Sequence, residues 1–431
     1  MKYKPSVFNY YFDLDNDGIG IFNTLSNSIA ELTPENYRNM KNFDENKFEA
    51  DVKNALVSNG FLVPYILNEY DAINKKRVDS ILNDKFSFYR ILTTLDCNAR
   101  CFYCYEGASS HEYMDLKTAE QTADFIIDHV ENRRCTIQWF GGEPLMNTKV
   151  IDLISEKLRN KLTDDKIRFV MITNASLASP RIIEKMKNEW NLYLLQITLD
   201  GDSSEYERRK NYVSLEKPFE LVINNIKNIL QAGLKVSLRL NYDKNNYHSV
   251  CNLIKYLREQ NFNGMSNFTI YSYPIFSSSQ GFQSENTGWE EWFEIQKVLV
   301  ENEFLSPLEA FSLRERRTQC YACSTKSLVV LPNGKLIKCT MAMKDSYAQV
   351  GDILNGIVNH DVMDKWCDTS LTKACSRCCF LPICQGGCRA GILNYTSDLC
   401  IHQKNFVGNV LRERIKHLRA ASKKIKSPHS H

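Results

Sequence analysis

The chain has 431 residues, 43% of them hydrophobic, which is enough for two or three globular domains. Lysine and arginine (54) nearly balance aspartate and glutamate (51), so the net charge of +3 gives no basis for a nucleic-acid partner or an anionic membrane surface. No run of eighteen apolar residues spans a bilayer and the N-terminus lacks a signal-peptide core, so we predict a cytoplasmic protein without a membrane segment. In that reducing compartment, 15 clustered cysteines indicate metal binding rather than disulfides.

Residues 1–85 form the first predicted unit. Two short aromatic-rich strands flank the turn sequence Asn16-Asp17-Gly18, and two helical stretches and a strand-like segment at 61–67 follow. The pattern predicts a small α+β domain built from a hairpin and helices.

From residue 86, six strand-like apolar runs alternate with amphipathic helical patterns. Such alternation is typical of right-handed βαβ crossovers and a parallel sheet. Six units are too few for the closed eight-stranded barrel, so we predict an α/β fold with a partial (β/α)6 TIM-like barrel over 86–288, open on one side. Its last part, 274–288, is rich in Ser and Gly and is predicted to be a loop.

The rest of the chain is predicted to contain three segments. These are a bridging helical segment at 289–318, a cysteine-rich domain at 319–405, and a basic helix and tail at 406–431. The clustered positive charge of the tail is typical of a solvated helix.

Three cysteines, Cys97, Cys101 and Cys104, directly follow the first barrel strand. Functional groups collect at the carboxyl ends of the strands in such barrels. Three thiolates bind three irons of a [4Fe–4S] cube and leave the fourth iron open to the amine and carboxylate of an amino acid. The alternative is a zinc loop that takes a fourth ligand from elsewhere in the chain.

Further candidate ligand-binding residues stand at the ends of the next four strands. After the second strand, Gly141 and Gly142 let backbone approach a ligand closely and Glu143 offers a carboxylate. Polar residues follow on the third, fourth and fifth strands: Thr173, Asn174, Thr198, Asp200, Arg239 and Asn241. Each alone is compatible with an ordinary capped strand end, but together, on consecutive strands, they predict one pocket.

The CxxxCxxC loop, with Tyr103 before its third cysteine, and the Gly-Gly-Glu sequence resemble the radical S-adenosylmethionine (radical SAM) superfamily. The resemblance implies that S-adenosylmethionine binds the open iron and that the Glu143 turn binds its methionine amine. It also implies that the polar strand-end residues line the cofactor pocket, with Arg239 suited to a carboxylate. Reduction of the cluster would then yield a 5′-deoxyadenosyl radical that abstracts hydrogen from the substrate.

Near the C-terminus, Cys375, Cys378, Cys384 and Cys388 have the spacing CX2CX5CX3C, and Cys320, Cys323 and Cys339 precede them. This pattern resembles the SPASM domain, the auxiliary-cluster extension of certain radical SAM enzymes. The resemblance implies two further [4Fe–4S] clusters, three in all. The implied ligands are Cys320, Cys323, Cys339 and Cys388 for the first auxiliary cluster, and Cys375, Cys378, Cys384 and Cys400 for the second. The short spacing of Cys320 and Cys323 leaves open whether both are ligands, and two structural zinc sites are the alternative for this region. Four cysteines fit no pattern: Cys135, Cys251, Cys367 and Cys379.

SPASM enzymes mostly act on peptides or proteins. In the sulfatase maturases among them, an aspartate that serves as a base follows the cysteine equivalent to Cys339, whereas this chain has Thr340, with Asp345 as a nearby carboxylate. Residues 1–85 resemble the PqqD-like winged-helix domain, which binds a leader peptide as an added strand. The alternative is that residues 1–85 are only a structural cap.

These resemblances predict a radical SAM oxidoreductase that matures a ribosomally made precursor peptide. It would bind the leader through residues 1–85 and form an intramolecular carbon–carbon or thioether crosslink, with flavodoxin or ferredoxin as electron donor. An anaerobic sulfatase-maturase-like enzyme or a small-molecule radical SAM oxidase, acting without a leader, is the alternative within the enzyme class. A metal-bound scaffold without catalysis is the alternative outside it. The sequence identifies no catalytic acid or base.

Overall fold

The protein is described by a computed structural model. Its described residues are 2–15, 18–82, 85–106, 111–275, 289–313, 320–394 and 404–425. Three predicted features lie outside them: the Asn16-Asp17 turn, most of the 274–288 loop, and Cys400. In the described part of the chain, no helix combines the length and apolarity needed to cross a membrane.

The N-terminal unit combines two small antiparallel sheets with three helices. Its elements are β1 (Tyr3–Pro5), β2 (Asn9–Asp13), β3 (Ile19–Asn23), β4 (Ile29–Leu32), α1 (Pro34–Lys41), α2 (Ala50–Ser58), β5 (Leu62–Pro64) and α3 (Glu69–Ile81). Strands β2, β3 and β4 form one sheet, and β1 pairs with β5. The predicted hairpin is therefore present as β2 and β3. Strand β4 and helix α3, which Asn68 caps, were missed by the sequence analysis.

The barrel segment alternates strands and helices as predicted. Its elements are β6 (Phe86–Leu92), α4 (Leu116–Val130), β7 (Arg134–Phe140), α5 (Thr148–Lys161), β8 (Ile167–Thr173), α6 (Pro180–Asn188), β9 (Leu192–Leu199), α7 (Ser203–Lys210), α8 (Pro218–Gln231), β10 (Val236–Tyr242), α9 (Tyr247–Glu259) and β11 (Phe268–Pro274). Asp115, Ser179 and Asp202 cap α4, α6 and α7 with side-chain oxygens. The six strands pair in parallel in chain order, which confirms the predicted α/β sheet.

The C-terminal region extends the same sheet. Its elements are α10 (Trp289–Glu301), α11 (Pro307–Ala310), β12 (Ser327–Val330), β13 (Lys335–Ile337), β14 (Gln349–Asp352), β15 (Gly356–Ile357), α12 (His360–Cys367), α13 (Leu381–Cys384), α14 (Arg389–Asn394) and α15 (Lys404–Ile425). Strand β12 runs parallel to β6, and β13 to β15 follow as antiparallel neighbours in a ten-stranded sheet. The cysteine-rich region is therefore continuous with the strand that leads into Cys97, a pairing the sequence analysis did not predict.

The N-terminal unit packs against the C-terminal region. Phe12, Leu14 and Phe22 share one buried cluster with residues of α13 and α15, including Ile383 and Leu411. Burial of large apolar side chains stabilises by about 1.5–3 kcal/mol each, so this contact is a substantial part of the fold.

Candidate active site

The turn after β7 determines the position of the cysteine loop. Gly142 N donates to Thr94 O at 3.1 Å, and Glu143 N donates to Asp96 O at 2.9 Å. A Cβ on Gly141 would lie within 3.0 Å of Thr94 O, and one on Gly142 within 3.0 Å of Asp96 O, closer than real Cβ atoms approach other heavy atoms. Gly141 also has φ of +119°, a conformation that favours glycine. The two glycines therefore allow the backbones of the turn and the loop to lie side by side.

Asp96, which the sequence analysis missed, anchors the loop from the other side. Its Oδ1 accepts from Cys97 N at 2.8 Å, and its Oδ2 contacts His111 Nδ1 and Tyr113 OH at 2.9 Å each. Partial burial acts to raise the pKa of Asp96, but the hydrogen bonds from His111 and Tyr113 lower it overall. A carboxylate with several donors holds the start of the loop in one conformation.

The three loop cysteines lie close enough to interact. Burial raises the pKa of Cys97 to about 12, and Glu143, Cys101 and Cys104 add to that rise. The pKa of Cys101 is also raised, mainly by burial. Crowded, half-buried thiols of this kind become thiolates when iron binds them, so the donor set fits a cluster with three cysteine ligands.

Glu143 lies beneath the loop and is fully buried. Its Oε1 accepts from Thr173 Oγ1 at 2.7 Å and from Leu145 N at 3.0 Å, and its Oε2 accepts from Asn174 N at 2.8 Å. Burial raises the pKa of Glu143 to about 7, although these hydrogen bonds oppose the rise. Asn174 Nδ2 lies 3.8 Å from Cys97 Sγ. The structure thus brings together the predicted residues of the second and third barrel strands around Cys97.

A second buried network joins the loop to the fourth and fifth barrel strands. Tyr103 OH donates to Asp200 Oδ2 at 2.5 Å, and Asn241 Nδ2 donates to Asp200 Oδ1 at 3.0 Å. Lys210 Nζ donates to Tyr103 OH at 3.0 Å and to Thr198 Oγ1 at 2.8 Å, and lies 3.4 Å from Asp200. Four predicted residues therefore meet around Lys210. The sequence analysis missed this lysine because nothing in the run Arg208-Arg209-Lys210 marks its last residue as buried.

Arg239, on β10, stacks on the ring of Tyr273 at 4.0 Å, and its Nε is buried. Within the described residues, neither Arg239 Nε nor Asn241 Oδ1 has a hydrogen-bond partner. Buried polar atoms are nearly always paired in native proteins, so these two atoms of β10 are available to a polar ligand. The residues present fit a cofactor that carries a carboxylate and hydroxyl groups.

A third polar cluster lies between the barrel and the C-terminal region. Arg90 Nη1 donates to Tyr321 OH at 3.0 Å and to Thr340 Oγ1 at 2.9 Å, and its Nε donates to Gln138 at 2.7 Å. The guanidinium lies between the Phe140 and Tyr321 rings, at 4.5 and 4.6 Å. Thr340, the residue after Cys339, is therefore bound to the barrel through Arg90.

The buried carboxylate of this cluster is Glu106, another residue the sequence analysis missed. Burial raises the pKa of Glu106 to about 7, with Arg90 and Tyr105 acting in the opposite direction. Its Oε2 has no hydrogen-bond partner among the described residues. Asp345, the carboxylate considered from the sequence, is exposed instead.

The cysteines predicted for the first auxiliary cluster lie near one another. Burial raises the pKa of Cys339 to about 11, and the Cys320 and Cys388 thiols add to that rise. Burial likewise raises the pKa of Cys323 to about 12, with Cys320 adding to it. The donor set therefore fits a second cluster.

Of the second auxiliary set, Cys375 and Cys378 form one tight turn, with Cys378 N donating to Cys375 O at 3.2 Å. Cys384 ends the short helix α13 that follows, and Cys400 lies outside the described residues. Two cysteines that fit no spacing, Cys135 and Cys251, lie in or against the barrel core, as expected for ordinary core residues.

A family model described as the Radical SAM superfamily matches residues 91–257, from the end of β6 into α9. The chain carries a radical SAM domain. The match contains the cysteine loop, the Glu143 turn and the Lys210 network, so the predicted superfamily is confirmed for this part of the chain. The family model does not extend to the C-terminal cysteines or to residues 1–85.

One curated relative and two solved structures place this radical SAM domain among similar proteins. The radical SAM cyclopropyl synthase TigE of Paramaledivibacter caminithermalis is 24% identical over 224 residues, 47% of this chain and 46% of TigE. The structure titled "Native anSMEcpe with bound AdoMet" has a TM-score of 0.57 at 15% identity, over 78% of this chain and 99% of that one. The structure of Streptococcus suis SuiB bound to precursor peptide SuiA has a TM-score of 0.53 at 15% identity, over 91% of this chain and 97% of that one. This chain spans less than half the length of TigE, and the structural matches show a shared fold.

Proposed function

We propose that the chain is a radical SAM peptide maturase that abstracts hydrogen from a ribosomally made precursor peptide and forms an intramolecular carbon–carbon or thioether crosslink. The observation that carries the proposal is the bridge from Arg90 to Thr340. It connects the strand that leads into the cysteine loop with the residue after Cys339. A partly buried polar contact that joins two cysteine sets is suited to an enzyme whose substrate reacts near one cluster and passes an electron to another.

Each group of residues has a separate role in this proposal. Cys97, Cys101 and Cys104 would hold the cluster, and Glu143 would receive the methionine amine. S-adenosylmethionine, when bound, supplies the radical that takes one hydrogen atom from the substrate. The network of Tyr103, Asp200, Lys210, Thr198 and Asn241 positions polar groups toward the cofactor and excludes water from the loop.

The oxidation removes two hydrogens from the peptide in total. The first leaves as a hydrogen atom, and the second as a proton and an electron. The auxiliary cysteines would hold two [4Fe–4S] clusters that accept this electron, and flavodoxin or ferredoxin would supply the electron for cofactor cleavage. Zinc at the same cysteines would not pass electrons.

Two observations support a peptide substrate. SuiB and anSMEcpe, which share this fold, have structures titled with a bound precursor peptide and with a bound peptide. The sulfatase-type alternative is disfavoured because Thr340 replaces the aspartate and is bound by Arg90, while Asp345 is exposed.

We expect coexpression with a short precursor peptide encoded nearby to give a peptide lighter by two hydrogens. The measurement is mass spectrometry of the purified peptide, with a Cys97→Ala, Cys101→Ala, Cys104→Ala variant as the control that leaves its mass unchanged. Intact peptide together with normal 5′-deoxyadenosine production would contradict peptide crosslinking, while absence of both products would contradict the radical mechanism.

Strand β4 is our candidate edge for the leader peptide. Among the described residues, β4 pairs only with β3. Asn23 N donates to Ser28 O at 2.9 Å, so these two residues form a hydrogen-bonded pair. Hydrogen-bonded and non-hydrogen-bonded pairs alternate along antiparallel strands, and Glu31, opposite Gly20, falls in a non-hydrogen-bonded pair. The backbone N–H of Glu31 therefore points away from β3. A cavity of about 420 Å³ is lined by Ile19 of β3, Leu32 of β4 and the first turns of α1. An added strand would pair with Glu31 and place a side chain in the cavity.

Replacing Glu31 by proline should weaken leader binding about tenfold, because it removes one outward backbone donor. Proline is tolerated at an edge whose N–H faces solvent. Glu31→Ala is the matched control, because it also loses the ion pair with Arg419 at 2.5 Å but keeps the N–H. Fluorescence anisotropy with a labelled leader peptide measures the affinity of each variant. Equal affinities of Glu31→Pro and Glu31→Ala would exclude the β4 edge as the leader site.

A further inference from the structure

Arg77, on α3 of the N-terminal unit, reaches into the cysteine-rich region. Helix α3 buries four residues of one face: Glu69, Ile73, Arg77 and Ile81. The last of them fixes the helix end, because Thr325 N donates to Ile81 O at 3.1 Å just after the Cys320–Cys323 turn. Arg77 is 2% exposed, so its guanidinium lies inside the protein.

The partners of Arg77 carry no charge. The guanidinium donates to Asn74 Oδ1 at 3.0 Å and to the backbone oxygen of Thr369. Arginine remains protonated in proteins, and a buried charge without a hydrogen-bonded counter-ion is costly. Burial and the positive charge of Arg389 lower the pKa of Arg77, whereas Cys323, Asp368 and Cys375 act to raise it. The position therefore favours a negative charge on the cysteine side.

A cavity of about 190 Å³ lies in front of Arg77 and is lined by cysteines of both predicted auxiliary sets. Cys323, of the first set, and Cys375, of the second, both line it, and so does Arg389. Arg389 directly follows Cys388 in the chain, and its Nη1 is 3.6 Å from Asp368 Oδ2, which compensates part of its charge. Within the described part of the chain, Arg77 forms no such ion pair. Two arginines thus line a cavity that is shared by thiols of both sets.

We propose that Arg77 and Arg389 raise the reduction potentials of the two auxiliary clusters, so that the N-terminal unit contributes a residue to the electron-accepting site. The proposal rests on the auxiliary clusters of the proposed function. A cluster held by four thiolates is negatively charged and becomes more so on reduction. Nearby positive charge therefore stabilises the reduced form and raises the potential.

The test is a redox titration of the full chain, followed by electron paramagnetic resonance. The background is the Cys97→Ala, Cys101→Ala, Cys104→Ala variant, so that only auxiliary clusters contribute to the signal. Arg77→Gln should lower the ratio of reduced to oxidised auxiliary cluster about tenfold at fixed potential, which for a one-electron couple is about 59 mV. Arg77→Lys keeps the charge and should stay within about twofold of the parent. As the control, Arg133→Gln removes another buried arginine, the residue just before β7, and should leave the potentials of the auxiliary clusters unchanged.

Iron and sulfide analysis separates this inference from the proposed function. A background variant without iron would remove the auxiliary clusters and, with them, both proposals. Auxiliary clusters with equal potentials in the parent and Arg77→Gln would overturn the inference alone. Should Arg77→Gln fail to retain iron, the Arg389→Gln variant is measured instead. A lower reduction potential of the auxiliary clusters in Arg389→Gln supports the inference, and an unchanged potential overturns it.

Discussion

Lys210→Met is expected to lower the free energy of unfolding by about 3–5 kcal/mol, because it leaves the Asp200 carboxylate buried without its cation. Asp200 is fully buried and lies 3.4 Å from Lys210 Nζ. Although burial disfavours the ammonium, Asp200 and Tyr103 raise the pKa of Lys210 above its usual range. The lysine is therefore charged, and methionine, of similar length, removes the charge while filling much the same space.

The measurement is anaerobic urea unfolding followed by tryptophan fluorescence, with Lys157→Met as the matched control. Lys157 pairs with Asp124 at 2.8 Å on the surface, and exposed pairs contribute about 0–1 kcal/mol. Adding Asp200→Asn to Lys210→Met should restore part of the loss, because it removes the unpaired buried charge. An equal loss in the two lysine variants would show that the Lys210 network carries no special stability.

The parallel sheet and the residues that meet around Cys97 could both be predicted from the order of the strands along the chain. Period and chain order determine which strands are parallel neighbours, so residues at consecutive strand ends must meet. Glu143, Thr173 and Asn174 do so around Cys97. Such convergence needs no knowledge of side-chain packing, only that carboxyl ends of parallel strands share an edge.

What the sequence did not predict depends on burial and on contacts far apart in the chain. Lys210 follows two arginines at the end of α7, and only packing shows that it faces inward. The stacking of Arg239 on Tyr273 of the next strand likewise depends on packing between neighbouring strands. The pairing of β12 with β6, and hence the contact of Arg90 with Thr340, joins segments that no local pattern relates.

The contacts between the N-terminal unit and the C-terminal region determine which variants can test the role of residues 1–85. Deleting residues 1–85 would remove the proposed leader edge, the hydrophobic cluster shared with α15, and Arg77 together. Loss of turnover in such a deletion would not distinguish a leader-binding domain from a structural cap. Glu31→Pro and Arg77→Gln separate the two roles because they alter one edge donor and one charge.

If the chain holds the three proposed clusters, Gly142→Ala is expected to abolish cleavage of S-adenosylmethionine and to remove about a third of the iron, the share of one cluster. The added Cβ meets the backbone oxygen of Asp96, the residue before Cys97, and backbone cannot rotate away as a side chain does. The turn after β7 and the cysteine loop must therefore move apart. This movement breaks the hydrogen bond from Glu143 N to Asp96 O and displaces Cys97. Overpacking of this kind costs about 1–3 kcal/mol locally, enough to distort a loop whose three thiols must fit one cube.

Iron and sulfide analysis and 5′-deoxyadenosine production measure the effect of Gly142→Ala, and Gly264→Ala is the control. Nothing lies within 4 Å of a Cβ at Gly264, so that variant should keep all of its iron and its activity. The auxiliary clusters should persist in Gly142→Ala, since the nearest neighbours of the added Cβ are backbone atoms of Leu95 and Asp96. Full iron content and normal cofactor cleavage in Gly142→Ala would mean that the loop tolerates separation from the turn. The close backbone approach would then not be what positions the three cysteines.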